Sequence, residues 1–166
     1  MIMSIETRIR SYLTIQKMRY RDILDFKIDV EEDVAENTIL KLLLQPLVEN
    51  ALYHGIKNKR QRGMIHVRAR RKGENEILLE VEDDGIGFTP EKLHQLRAEL
   101  NEDQGDIKLE SGFGLGNVNK RIRLYYGEPY GLSVQSDYMS GTCVTLVIPA
   151  KIEAAPQREG PVNGQD

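Results

Sequence analysis

Leu42-Leu43-Leu44-Gln45-Pro46-Leu47-Val48-Glu49-Asn50-Ala51-Leu52-Tyr53-His54-Gly55-Ile56-Lys57 is the stretch on which the fold turns. Its apolar residues recur at three- and four-residue intervals, at Leu40, Leu43 or Leu44, Leu47 and Ala51, the pattern of an amphipathic helix with one buried face. At about 100° per residue, Asn50, Tyr53, His54 and Lys57 emerge together at the edge of that apolar arc. A polar strip beside a core face is a place where a ligand can sit; the plainer reading is a helix boundary whose polar residues meet water. Pro46 has no N–H and presses on the preceding turn, which predicts a kink or break, and Gly55 is placed to loosen the helix end.

Toward the N-terminus, Asn37 or Thr38 is positioned to cap this helix, and the acidic run Glu31, Glu32, Asp33 with Glu36 reads as a solvated loop. Asp25 to Asp29 alternates as a strand does, and Ile5 to Tyr20 carries Ile9, Tyr12, Leu13, Ile15 and Met18 at helical spacing. Toward the C-terminus, Ile65, Val67 and Ala69 alternate with His66, Arg68 and Arg70, and Glu76 to Val81 alternates again after Lys72-Gly73-Glu74-Asn75. The two form an antiparallel hairpin with His66 on its solvent face.

The second of these strands runs into Glu82-Asp83-Asp84-Gly85-Ile86-Gly87-Phe88. Two glycines behind carboxylates leave the backbone bare, so Asp83 can act as an acceptor at the strand's edge while Gly85 and Gly87 admit a flat ligand; a simple turn has the same letters. Thr89-Pro90-Glu91 opens a helix through Leu100, with threonine as cap and proline in the first position. Residues 101–111 are polar and aperiodic, and are expected to form a mobile loop. It ends in Gly112-Phe113-Gly114-Leu115-Gly116-Asn117-Val118-Asn119-Lys120-Arg121-Ile122, glycines at alternate positions followed by a helical pattern. Such a start presents free N–H groups of the kind that hold phosphate, with Lys120 and Arg121 adding charge. No strand leads into it, so it is not a Rossmann loop, and no Gly-Lys-Ser/Thr follows, so it is not a Walker loop. Gly131 to Ser136 and Thr142 to Ile148 read as paired strands, and the composition after Glu153 predicts a disordered tail.

The chain's 166 residues, 40% hydrophobic, suit one compact domain. With 23 basic against 26 acidic residues, a net charge of −3 makes no electrostatic case for nucleic acid; the basic clusters at Lys57 to Arg62 and Arg68 to Lys72 read as solvated faces. One cysteine, Cys143, excludes a disulfide framework and suits a reducing compartment. No apolar run reaches membrane-spanning length and no signal peptide opens the sequence, so no membrane contact by this piece is expected.

In order and spacing, the three polar and glycine-rich blocks resemble the N, G1 and G2 boxes of the GHKL superfamily. Gln45-Pro46-Leu47-Val48-Glu49-Asn50-Ala51 with His54-Gly55, and Gly114-Leu115-Gly116-Asn117-Val118 with Arg121 and Tyr126-Gly127, look most like sensor histidine kinases of the LytS/YesM type, over roughly residues 5 to 150. The resemblance implies an α+β fold, the two-layer Bergerat ATP-binding sandwich, with a mixed sheet covered on one face by helices. It implies residues 1–21 as the end of a helix from an absent dimerisation and phosphoacceptor domain, 22–151 as the catalytic domain and 152–166 as tail. ATP and Mg²⁺ are the implied cofactors. Asn50 would be the metal ligand and Asp83 the acceptor for the adenine amino group, with Gly85, Gly87 and Phe88 bordering the base. Gly112, Phe113, Gly114, Leu115 and Gly116 would form the lid and phosphate-binding helix start, and Thr142 would help hold the adenine end. Tyr53, His54 and Lys57 would line the phosphate or ribose side.

The match departs from the family in two places. Many histidine kinases carry lysine where this chain has Tyr53, which leaves Lys57 or Arg121 to supply the phosphate cation. Hydrolytic members carry a glutamate where this chain has Pro46, and Glu49 is turned about 100° from Asn50. Slow hydrolysis and transfer to a histidine outside the chain are therefore expected, because His54, His66 and His94 lack the context of an acceptor. The implied parent is a bacterial membrane sensor whose cytoplasmic portion this is, with a response regulator as downstream partner. An anti-sigma-factor-type serine kinase and a nucleotide-responsive binding module that has lost transferase activity remain as alternatives.

Overall fold

The computed structural model describes residues 5–35, 41–56, 59, 61–101 and 114–150. The capping pair Asn37 and Thr38, Lys57, the expected loop after Asn101 with Gly112 and Phe113, and the expected tail lie outside the described residues. In chain order the elements are α1 (Ile5–Arg19), β1 (Leu24–Val30), the short α2 (Glu32–Ala35), α3 (Lys41–Asn50) continuing into a π-helical segment (Ala51–Ile56), β2 (Gly63–Lys72), β3 (Glu76–Asp83), α4 (Pro90–Asn101), α5 (Leu115–Tyr126), β4 (Gly131–Asp137) and β5 (Gly141–Pro149).

The strands form one mixed sheet in the order β1-β2-β3-β5-β4; β1 runs parallel to β2 and every other pairing is antiparallel. The β2–β3 hairpin turns through Gly73 at φ 63°, as the Gly-Glu-Asn turn requires. Alternation assigns the faces: Ile65, Val67, Ala69, Ile77, Leu79, Val81, Val144, Leu146 and Ile148 are buried on the inner one. Against them pack Ile9 and Leu13 of α1, Leu43, Leu47 and Val48 of α3, Leu52 and Ile56, Leu93 and Leu96 of α4, and Val118 and Ile122 of α5. A sheet with one oily face can be closed by a single helical layer, which is the two-layer α+β arrangement expected.

The other face is charged and laced across the strands. Arg68 Nε donates to Glu80 Oε2 at 2.8 Å and its Nη2 to Glu82 Oε2 at 2.6 Å, while His66 Nε2 lies 2.6 Å from Asp29 Oδ2. The basic cluster of β2 is thus neutralised by its neighbours on β1 and β3. Ion pairs on a sheet surface add little stability, about 0–1 kcal/mol each.

The expected break at Pro46 does not occur: α3 continues through it to Asn50. The change of winding comes at Ala51, where the helix widens to i→i+5 pairing for the six residues Ala51–Ile56. That change resets the 100° arithmetic beyond Asn50 and redirects Tyr53.

Candidate nucleotide site

Asp83 is the last residue of β3, an inner strand, paired with Ile65 on one side and Thr142 on the other. Its register puts the side chain on the helix-covered face, so it is not at an open edge but 4% exposed beneath the π-helical segment. Burial pushes its carboxyl up from 3.8 to about 7, opposed by the Gly85 backbone N–H and aided by the charge of Asp84. Gly85 donates to Oδ1 at 2.9 Å.

Three glycines allow the close packing around Asp83. A Cβ on Gly55 would fall 2.6 Å from Asp83 Cγ, one on Gly85 would strike the Gly55 backbone, and one on Gly141, already at φ 127°, would strike the Asp83 carbonyl. Gly55 therefore lets the helix settle onto Asp83. Gly87, at φ 68°, turns the chain where a Cβ would meet Ser136 Oγ at 2.9 Å. Ser136 Oγ accepts from Phe88 N–H at 2.7 Å, lies 2.9 Å from Thr142 Oγ1 and donates to Gly141 O at 3.0 Å. The Gly85–Phe88 loop is thereby fastened to the β4–β5 pair.

Asn50 closes α3. It is 3% exposed, and among the described residues its Oδ1 has no hydrogen-bond partner. A buried acceptor left empty costs about 1–3 kcal/mol, which is unusual unless something binds there. Asn50, His54, Gly55, Asp83, Ile86, Gly87, Phe88, Lys92 and Thr142 line a single pocket. The structure thus gathers Asn50, His54, Asp83, Gly87, Phe88 and Thr142 from α3, the π-helical segment, the β3 loop and β5. Gly85 lies directly beneath, against Gly55.

Other expected site residues fall elsewhere. Tyr53 turns toward α1: its ring meets that of Tyr20 edge-on at 6.3 Å, and the two hydroxyl groups are hydrogen-bonded. Arg121 is exposed on α5. Gly114, at φ 66° with no side-chain cap on α5, precedes the buried Leu115 and Gly116. Among the described residues a Cβ on Gly116 would meet only Glu99, at 3.6 Å from Oε2, so their packing does not demand glycine there. Among the described residues Lys92 is the cation lining the pocket. Neither it nor Ser136 lay in a recognisable motif; the pair Gly141-Thr142 after a turn was the signal available for the β5 end. Among the described residues no group of three or more His, Cys, Asp or Glu could hold a metal.

Glu49, beside Asn50 in sequence, is held away. Its Oε1 accepts from Tyr12 OH at 3.3 Å and from Gln45 Nε2 at 2.9 Å. Burial, and then the charge of Glu49, push the Tyr12 hydroxyl far above its usual value.

A mixed sheet under one helical layer, an acid buried at the end of an inner strand beneath a glycine, and an uncapped glycine-led helix start define an ATP-binding domain of the Bergerat type. Residues 35–152 match the family of histidine kinase-, DNA gyrase B- and HSP90-like ATPases, and the chain belongs to it. It is 34% identical over 145 residues to the sensor histidine kinase YesM of Bacillus subtilis, covering 87% of this chain and 23% of that protein. To the sensor histidine kinase BtsS of Escherichia coli it is 31% identical over 146 residues, covering 88% and 23%. The chain thus spans about a quarter of these relatives. The fold is that of the catalytic domain of histidine kinase ThkA, at a TM-score of 0.64 and 14% identity, over 90% of this chain and 96% of that one. The mycobacterial sensor histidine kinase MprB superposes with a TM-score of 0.58 at 22% identity, over 89% and 95%. ThkA has also been solved in complex with the response regulator TrrA. No described helix is long and apolar enough to cross a membrane.

Proposed function

We propose that the chain is the catalytic, Mg²⁺-ATP-binding domain of a two-component sensor histidine kinase, transferring the γ-phosphoryl group to a histidine on a separate dimerisation domain, from which a response regulator receives it. The observation that carries the reading is the empty, buried Oδ1 of Asn50 on the wall of the pocket that holds Asp83. A lone amide oxygen suits Mg²⁺, a hard cation that keeps several waters and asks for few protein ligands.

Each residue then has a task. Asp83 accepts the adenine amino group, with Gly85, Gly87 and Phe88 along the base and Thr142 supporting that end through its tie to Ser136. Asn50 offers its oxygen to the metal, and the bound metal would neutralise charge on the phosphates. Gly114, Leu115 and Gly116 present backbone N–H groups at the start of α5, while His54 and Lys92 approach from the pocket wall. Phosphoryl transfer asks chiefly for positioning and charge neutralisation, which this set supplies. A water-activating base is not among it: Pro46 occupies the position of the hydrolytic glutamate, and Glu49 is engaged by Tyr12 and Gln45. In this reading α1 joins the domain to its phosphoacceptor helices, and the parent protein sits in the bacterial membrane.

The test supplies γ-labelled ATP together with the parent's dimerisation domain. Acid-labile label on its histidine is expected. Nucleotide binding without transfer leaves a binding module, and label on a serine of a partner protein leaves a serine kinase; either rejects the proposal.

A further inference from the structure

Asn119 sits in the second turn of α5 and is 2% exposed, yet both ends of its side chain are engaged on different elements. Nδ2 donates to the Leu100 carbonyl at 2.8 Å, and Oδ1 accepts from Leu132 N–H at 2.8 Å. Leu100 lies in the last turn of α4, where carbonyl groups have no helical partner, and Leu132 is the second residue of β4. One amide therefore fastens α5 to α4 and to the edge of the sheet together. Gly131 is shaped around it, since a Cβ there would fall 2.7 Å from Asn119 Oδ1.

The position matters because Asn119 stands four residues, about one turn, from Leu115, where the open N–H groups of α5 begin. The start of α5 has no side-chain cap, and Gly114 before it is in the left-handed region, so the local sequence does little to fix where those N–H groups aim. What fixes them is the body of the helix, and Asn119 is the buried polar tie of that body. The pocket that holds Asp83 draws no lining residue from α5. A fault at Asn119 should thus reach one half of the nucleotide and spare the other.

We propose that Asn119 is a positioning residue for the phosphates: its side-chain amide sets the aim of the α5 N-terminus, and the phosphate share of nucleotide affinity depends on it while the base share does not. The proposal rests on the nucleotide site described above.

The experiment compares ATP with adenosine by calorimetry on the whole chain. Asn119→Asp keeps the acceptor for Leu132 N–H but, ionised, cannot donate to Leu100. It should weaken ATP about tenfold and adenosine by less than about twofold. Arg97→Met is the control, because Arg97 Nη2 donates to the Val134 carbonyl at 2.9 Å and so ties α4 to β4; it should leave the ATP-to-adenosine ratio unchanged. Equal losses for both ligands in Asn119→Asp, or none for ATP, overturn the proposal. So does a control that behaves the same way. If Asn119→Asp does not fold, the unaltered chain decides: the Asn119 side-chain amide signals in NMR should move with ATP and stay put with adenosine, and signals indifferent to saturating ATP refute it. A wild-type chain that binds neither ligand would instead reject the underlying site.

Discussion

Replacing Gly55 with alanine tests the packing that creates the pocket. In an ordinary helix the change stabilises by about 1 kcal/mol, because glycine has the greater backbone freedom to lose. Here the new methyl would lie 2.6 Å from Asp83 Cγ and 3.0 Å from Oδ2. The carboxylate cannot retreat far, since Gly85 N–H holds it at 2.9 Å. Overpacking of a well-filled site costs about 1–3 kcal/mol, so the net loss of stability in urea unfolding should be about 0–2 kcal/mol. Binding should suffer more. Displacing a charged acceptor from its donor forfeits about 1.5–3 kcal/mol, so ATP affinity by calorimetry should fall about tenfold or more. In an Asp83→Ala background the methyl has room, and Gly55→Ala should then stabilise by about 1 kcal/mol; the coupling, about 1–3 kcal/mol, identifies the carboxylate as what it struck. Wild-type affinity together with a stability gain, the behaviour of an ordinary helical glycine, would mean that Gly55 does not pack against the Asp83 carboxylate.

Asp83 should also make stability depend on pH. Its carboxyl is raised from 3.8 to about 7, so between those values the folded chain keeps a proton that the unfolded chain has lost. The contribution is complete below the lower value and gone above the upper one, so stability should decline across that window; Asp83→Asn should flatten the curve in urea titrations while weakening ATP. Asn50→Ala should reduce ATP affinity in Mg²⁺ to the level seen in EDTA, leave adenosine unchanged and not lower the melting temperature, because an orphaned acceptor leaves with it. Glu49→Gln should keep the slow basal ATP hydrolysis within about twofold in a coupled assay, whereas a tenfold drop would make Glu49 a base.

Much of this was legible in the letters because the relevant signals are local. Strict alternation in β2 and β3 predicted both the hairpin and its buried face, and threonine-proline predicted the start of α4, where Thr89 Oγ1 accepts from Lys92 N–H at 3.3 Å. What escaped depends on partners distant in sequence. Pro46 predicts a kink or a break, but the helix runs past it to a π-helical turn that periodicity has no means of foreseeing. That turn swung Tyr53 toward Tyr20 and left Gly55 over Asp83, contacts spanning 33 and 28 residues. Ser136 and Lys92 carry no motif of their own and joined the site only once β4 and α4 were placed. Asn119 looked like one polar residue among several behind the glycines; its two backbone partners lie 19 and 13 residues away.

On the proposed function, Asn50 and Asp83 face one magnesium-bearing adenine nucleotide. A crystal structure of the chain with Mg²⁺ and a non-hydrolysable ATP analogue tests it most directly. The expected density has the adenine amino group on the Asp83 carboxylate and the metal on Asn50 Oδ1; a nucleotide seated away from both residues would contradict it.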